Sequence, residues 1–93
     1  VKARTGDSNL AEYLKNKRVH AGLTQSDVAR KMGYSSPQFV SNWERALARP
    51  PVTVLKELTK LYKVSADEVF RMLLGEVETE LKTEFYGKAK RRN

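Results

Sequence analysis

The chain has no cysteine and a single histidine, His20, among its 93 residues. Without thiols there is no disulfide, no thiolate zinc site and no thiol nucleophile, and one imidazole builds neither a metal site nor a catalytic relay. No glycine-rich phosphate loop and no convergent set of carboxylates is present. No residue therefore takes a catalytic, cofactor-binding or metal-binding role, and a non-enzymatic protein is expected. No apolar stretch approaches the roughly 20 residues that cross a membrane, and nothing at the start resembles a signal peptide. The opening Val1 in place of Met reads as a processed or trimmed start. Together with the missing thiols, these absences predict a cytoplasmic protein. Nor does any run alternate apolar and polar residues with the period of a strand, and no segment repeats.

What the sequence has in excess is positive charge. Lys and Arg number 18 against 11 Asp and Glu, a net charge of +7 and a pI near 9.9. The excess is not confined to the terminal run Lys88, Lys90, Arg91, Arg92, because residues 10–74 hold 11 basic and 6 acidic side chains. A basic surface on the folded part points to a polyanionic partner. The length suits one domain that removes roughly 60–65% of the unfolded chain's surface from water.

Residues 1–8 are polar and without period, and are expected to be flexible. Residues 9–74 read as five short helices, most of them opened by a recognisable cap. Asn9 with Glu12 opens the first, which runs to about Ala21 with Leu10, Tyr13, Leu14 and Ala21 inward, and Gly22 ends it. Thr24 and Asp27 form a capping box for the second, with Val28, Ala29 and Met32 inward and Gly33 at its end. Ser36 then caps a third helix with Pro37 at its first position, running to about Arg45 over Val40 and Trp43. Pro50 and Pro51 break the chain before a fourth helix marked by Leu55, Leu58, Leu61 and Tyr62. Ser65 and Glu68 make a second capping box for a fifth, with Val69, Phe70 and Leu73 inside. The expected core is Leu14, Val28, Ala29, Val40, Trp43, Leu55, Leu58, Val69 and Phe70. Residues 75–93 read as a sixth helix, on the stripe Val77, Leu81, Phe85, followed by the basic tail.

Gly22-Leu23-Thr24-Gln25, Val28-Ala29, Gly33 and Val40-Ser41-Asn42-Trp43-Glu44-Arg45, in that order, resemble the Cro and phage-repressor (XRE-like) helix-turn-helix family. Leu14 to Val19 is similar to the first helix of the lambdoid phage repressors, and the resemblance spans residues 10–74. It implies an all-α, five-helix lambda-repressor-like domain, here with the sixth helix added. The implied function is sequence-specific binding of double-stranded DNA by a bacterial or phage transcriptional regulator. A repressor on a palindromic operator, nucleoid-associated when bound, is the specific expectation. The third helix would lie in the major groove, about 12 Å wide, with Gln38, Ser41 and Asn42 outward; Gln and Asn suit bidentate bonding to adenine N6 and N7. Between Gly33 and Glu44 there is one residue more than the common family spacing, so the first base-contacting position is open, with Ser36 and Pro37 as candidates. The resemblance also implies that Gln25 bonds a DNA phosphate and that Arg18 pairs with Glu44 as scaffold. Thr24, at the free N–H groups of a helix start, and Arg45 and Arg49, at and beyond the end of the third helix, are further phosphate candidates. Ala46 stands where the family has glycine, so the third helix is expected to run on, as far as Leu47.

One recognition helix reads too few base pairs to find a site in a genome, so a homodimer is expected, with residues 69–86 as its contact and Lys88 to Arg92 as a mobile arm near phosphates. The alternative is an interaction protein on the same core, an antitoxin or a coactivator, using residues 75–93 for a protein partner. RNA binding ranks third, because Phe39, Trp43 and Tyr34 fit turn and core sites better than a stacking platform.

Overall fold

A computed structural model describes residues 5–87, with side chains from Leu10 onward. Five helices account for most of this span: α1 Thr5–His20, α2 Gln25–Met32, α3 Gln38–Glu44, α4 Val52–Tyr62 and α5 Ala66–Tyr86. There is no strand among the described residues. Helix α1 touches α3, α4 and α5, while α2 packs on α3 and α4 on α5. The buried core joins Leu10 and Leu14 of α1 to Val28 and Ala29, Val40 and Trp43, Leu55, Leu58 and Tyr62, and Val69. Each large aliphatic side chain there contributes roughly 1.5–3 kcal/mol by leaving water.

Helices α1 to α4 all end in the same device. The chain turns into the left-handed region, and two N–H groups reach back to otherwise orphaned carbonyls. At Gly33 (φ 85°) the N–H groups of Gly33 and Tyr34 bond the carbonyls of Arg30 and Ala29 at 3.2 and 2.8 Å. At Ala46 (φ 62°) those of Ala46 and Leu47 bond Trp43 and Asn42 at 3.3 and 2.9 Å, and at Lys63 (φ 56°) those of Lys63 and Val64 bond Lys60 and Thr59. Two of the four caps thus lack glycine. Ala46 does not prolong α3 toward Leu47, as its missing glycine suggested; it accepts the left-handed conformation, and α3 stops at Glu44.

The starts are equally local. Thr24 Oγ1 accepts the Asp27 N–H at 2.9 Å while Asp27 Oδ2 accepts the Thr24 N–H at 2.9 Å, closing the expected box. These bonds from Thr24, with Arg30 beside them, hold the Asp27 carboxyl below its ordinary range. At Ser65 only half the box forms: Ser65 Oγ accepts from the Glu68 N–H, but Glu68 turns to the Tyr13 hydroxyl, which donates to it at 3.0 Å. Pro37 is the residue flanking α3 rather than its first residue, and Ser36 Oγ accepts the Gln38 N–H at 3.3 Å.

Further expectations are corrected, and Ala21, expected inward, is exposed just past the end of α1. Helix α1 begins at Thr5, so Asn9 lies within it and does not cap it, and residues 5–8 of the segment expected to be flexible are helical. The fifth and sixth helices are one: α5 passes through Gly75 without a break. Phe70 is 57% exposed and not in the core, because Val69 takes the inward position beside it. The uninterrupted α5 has a visible cause just past Gly75. Glu76 Oε2 accepts the Leu10 N–H at 3.3 Å, and its Oε1 accepts Arg49 Nε at 3.3 Å. The Arg49 guanidinium also bonds both carboxylate oxygens of Glu80. These ties offset the roughly 1 kcal/mol that an interior glycine costs a helix relative to alanine. The expected terminal arm, Lys88 to Arg92, and residues 1–4 lie outside the described residues.

Candidate nucleic-acid interface

Helix α3 is amphipathic over only two turns. Val40 and Trp43 are buried, while Gln38 is exposed and Ser41 and Asn42 are half-buried on the other side. What fixes the rotation of so short a helix lies beneath it. Arg18 of α1 donates to Glu44 through two parallel bonds, Nε to Oε2 at 2.7 Å and Nη2 to Oε1 at 3.1 Å, and its Nη1 donates to the Leu23 carbonyl at 2.8 Å. The side chains of Arg18 and Glu44 are only 10% and 3% exposed. The hydrogen bond to Glu44 holds the Arg18 guanidinium above its already high ordinary pKa, so Arg18 stays charged at any physiological pH. A fork-on-carboxylate pair sets direction as well as distance, and so aims the outer face of α3.

Sequence reasoning missed the third member of this group. Gln25 Nε2 donates to Glu44 Oε1 at 2.9 Å, so the first residue of α2 is bonded to the last residue of α3. One N–H of its amide is used there, and the second remains for another acceptor. The resemblance assigned Gln25 to a phosphate, and nothing in the sequence signalled its bond to Glu44.

On the outer face, Gln38 Nε2 donates to Asn42 Oδ1 at 3.0 Å, one turn apart. The pair leaves the Gln38 carbonyl oxygen and the Asn42 amide N–H groups without another protein partner among the described residues. One acceptor and one donor then stand side by side, the complement of an adenine edge. Ser36 and Pro37 sit exposed at the entry to α3, next to this pair. Thr24 is exposed at the start of α2, its N–H already given to Asp27. Arg45 is exposed at the end of α3 and has no ion pair among the described residues.

Arg49 is placed differently. It is half-buried between Glu76 and Glu80 of α5, and the bonds to Glu80 hold its guanidinium above its ordinary pKa. Burial pushes the Glu76 carboxyl up, an effect that the Leu10 N–H and Arg49 counter only in part. Of the three aromatic residues expected at turn and core sites, only Phe39 departs from expectation. Trp43 is in the core and Tyr34 half-buried against it, ring centroids 5.7 Å apart and edge-on. Phe39 lies on Tyr34 with centroids 4.9 Å apart, yet is 53% exposed rather than buried in a turn.

No metal-binding group of three or more His, Cys, Asp or Glu occurs among the described residues, and none of their helices is long and apolar enough to cross a membrane. No curated protein and no solved structure matches the chain. A helix-turn-helix family model matches residues 14–69, from the middle of α1 through the start of α5. That span holds the capped α2, the Gly33 turn, α3 and the Arg18–Glu44 pair. With more than half of the sequence inside the match, the chain belongs to the Cro and phage-repressor (XRE-like) helix-turn-helix family of DNA-binding regulators.

Proposed function

We propose that this protein is a sequence-specific transcriptional regulator that lays α3 in the major groove, a cytoplasmic repressor acting as a homodimer on a palindromic operator. The observation that carries the reading is the outer face of α3: a bonded amide pair, Gln38 exposed and Asn42 half-buried, on a helix held from below by the buried Arg18–Glu44 pair and its bond to Gln25. Gln38, Asn42 and Ser41 read base edges, with Ser36 and Pro37 at the approach. Thr24, the second N–H of Gln25 and Arg45 hold phosphates, where the start of α2 adds the positive end of its dipole. Arg49, engaged by α5, is assigned to scaffold. Selection of bound duplexes from a random library tests the reading, with a recurring two-fold motif expected. Gln38→Ala and Asn42→Ala should each weaken binding to that motif by about 1–3 kcal/mol and leave non-specific binding nearly unchanged. Equal loss on every sequence would move both residues to the phosphates.

The dimer reading rests on α5. Phe70, Leu74, Leu81 and Phe85 are more than half exposed on one side of it, with the half-buried Val77 near their middle. Their spacing reads the same from either end, since Phe70 and Phe85 stand equally far from the midpoint, as do Leu74 and Leu81. Two copies of α5 laid antiparallel would therefore match like against like. A contact with a different protein, as in an antitoxin or coactivator, would draw on the same exposed face. Sedimentation of the chain alone separates the two, because only the first reading gives a dimer without a partner.

A further inference from the structure

We propose that Phe39 reads the 5-methyl group of a thymine, so that the site bound by α3 carries an A·T pair specified from both of its bases. The inference rests on the reading that α3 enters the major groove. Phe39 is the one large apolar side chain of α3 left open, 53% exposed on a helix whose other apolar residues, Val40 and Trp43, are buried. At about 100° per residue it lies about 60° round the helix from Asn42, at the margin of the polar outer face. It is also held in place. The ring rests on Tyr34 at 4.9 Å with a 37° tilt, and Tyr34 meets the buried Trp43 edge-on at 5.7 Å and 69°. This row of three rings runs from the core to the surface and ends with an apolar face turned outward. Tyr34 is the one aromatic ring against Phe39 among the described residues, and more than half of Phe39 stays open to solvent.

The chemistry of the groove supplies a partner for that open part. Base edges there present hydrogen-bond donors and acceptors, and on unmodified DNA the thymine methyl is the only apolar group among them. The amides of Gln38 and Asn42 suit adenine, whose paired thymine carries its methyl on the same groove floor. An amide on the purine and a positioned ring on the methyl would together distinguish A·T from the other pairs, where the amide alone leaves the pyrimidine unread.

The test uses the full chain and a duplex recovered by selection from a random library. Matched copies of that duplex carry deoxyuridine in place of one thymine at a time, which removes a methyl and nothing else. Wild-type protein should bind about fourfold more weakly when one particular thymine in each half-site is replaced, the value of one buried methyl group. Phe39→Ala should bind the thymine and uracil duplexes equally, and Phe39→Leu should keep part of the difference. Indifference of the wild type to every uracil replacement would overturn the proposal, and so would a Phe39→Ala variant that keeps the full preference for thymine. A selected motif that depends on Gln38 and Asn42 but has no thymine beside their bases overturns it while leaving the groove reading intact. Failure to recover any motif overturns both.

Discussion

At the residue scale, Glu44 and Ala46 pull in opposite directions within two positions of each other. Glu44 is a buried carboxylate that accepts from Arg18 twice and from Gln25 once. Removing one partner of such a pair leaves the other charge buried and unmatched, so Glu44→Ala should cost about 3–5 kcal/mol in chemical denaturation. Ala46 instead carries a Cβ in a left-handed conformation, φ 62°. Ala46→Gly removes that strain, partly offset by the greater freedom of glycine in the unfolded chain, and should raise stability by about 0.5–1 kcal/mol. A lowered midpoint would mean that the cap is not strained. On the proposed reading, Arg45 and Arg49 should part company in a salt titration of DNA affinity. Arg45→Ala should reduce the slope of log affinity against log salt by about one, and Arg49→Ala should leave the slope unchanged while lowering the melting temperature.

At the scale of elements, α5 is the longest helix among the described residues. Gly75 lies in its interior, and nothing lies within 4 Å of where a Cβ would stand. Gly75→Ala should therefore stabilise the protein by about 1 kcal/mol, read from thermal or denaturant unfolding. The Tyr13 hydroxyl joins α1 to the first turn of α5 through Glu68, and burial together with that bond pushes its pKa from 10.0 up to about 12. An acid whose proton is held more tightly in the folded state stabilises fully below its unfolded pKa. That contribution should fade as the pH rises from about 10 toward 12. Tyrosine absorbance titration should show the step near pH 12 disappear in Tyr13→Phe, while Tyr62, pushed higher still by burial, keeps its proton through that step.

These elements also mark where the sequence was readable. Caps built from Thr24, Asp27, Ser65 and Gly33 were legible because a side chain or a missing Cβ announces each one. The Ala46 and Lys63 caps were not, since neither residue advertises a positive φ and only the two N–H groups behind it hold the turn. The break expected at Gly75 follows from propensity alone, whereas the ties from Leu10 and Arg49 to Glu76 come from positions 66 and 27 residues away. Phe70 looked like core because it adjoins Val69 in a short apolar cluster, and a cluster does not say which of its members faces in. The Arg18–Glu44 pair came from family resemblance, which did not extend to its bond with Gln25.

At the scale of the whole molecule, the dimer reading makes the exposed side of α5 the contact between copies. Leu74→Glu with Leu81→Glu places charge on an already exposed surface and should leave helicity unchanged. On the dimer reading, sedimentation of this variant gives a monomer, and affinity falls on a duplex with two half-sites but not on one with a single half-site. A dimer that survives both substitutions would move the contact elsewhere. The mirrored spacing of Phe70, Leu74, Leu81 and Phe85 has a further result. A surface that matches itself under a half-turn is consumed when two copies meet, so neither copy offers a vacant edge to a third. A head-to-tail surface of the same apolar character would propagate into a filament. The order of four side chains along one helix would then set a stopping point for assembly, and the population should remain at two copies as concentration rises.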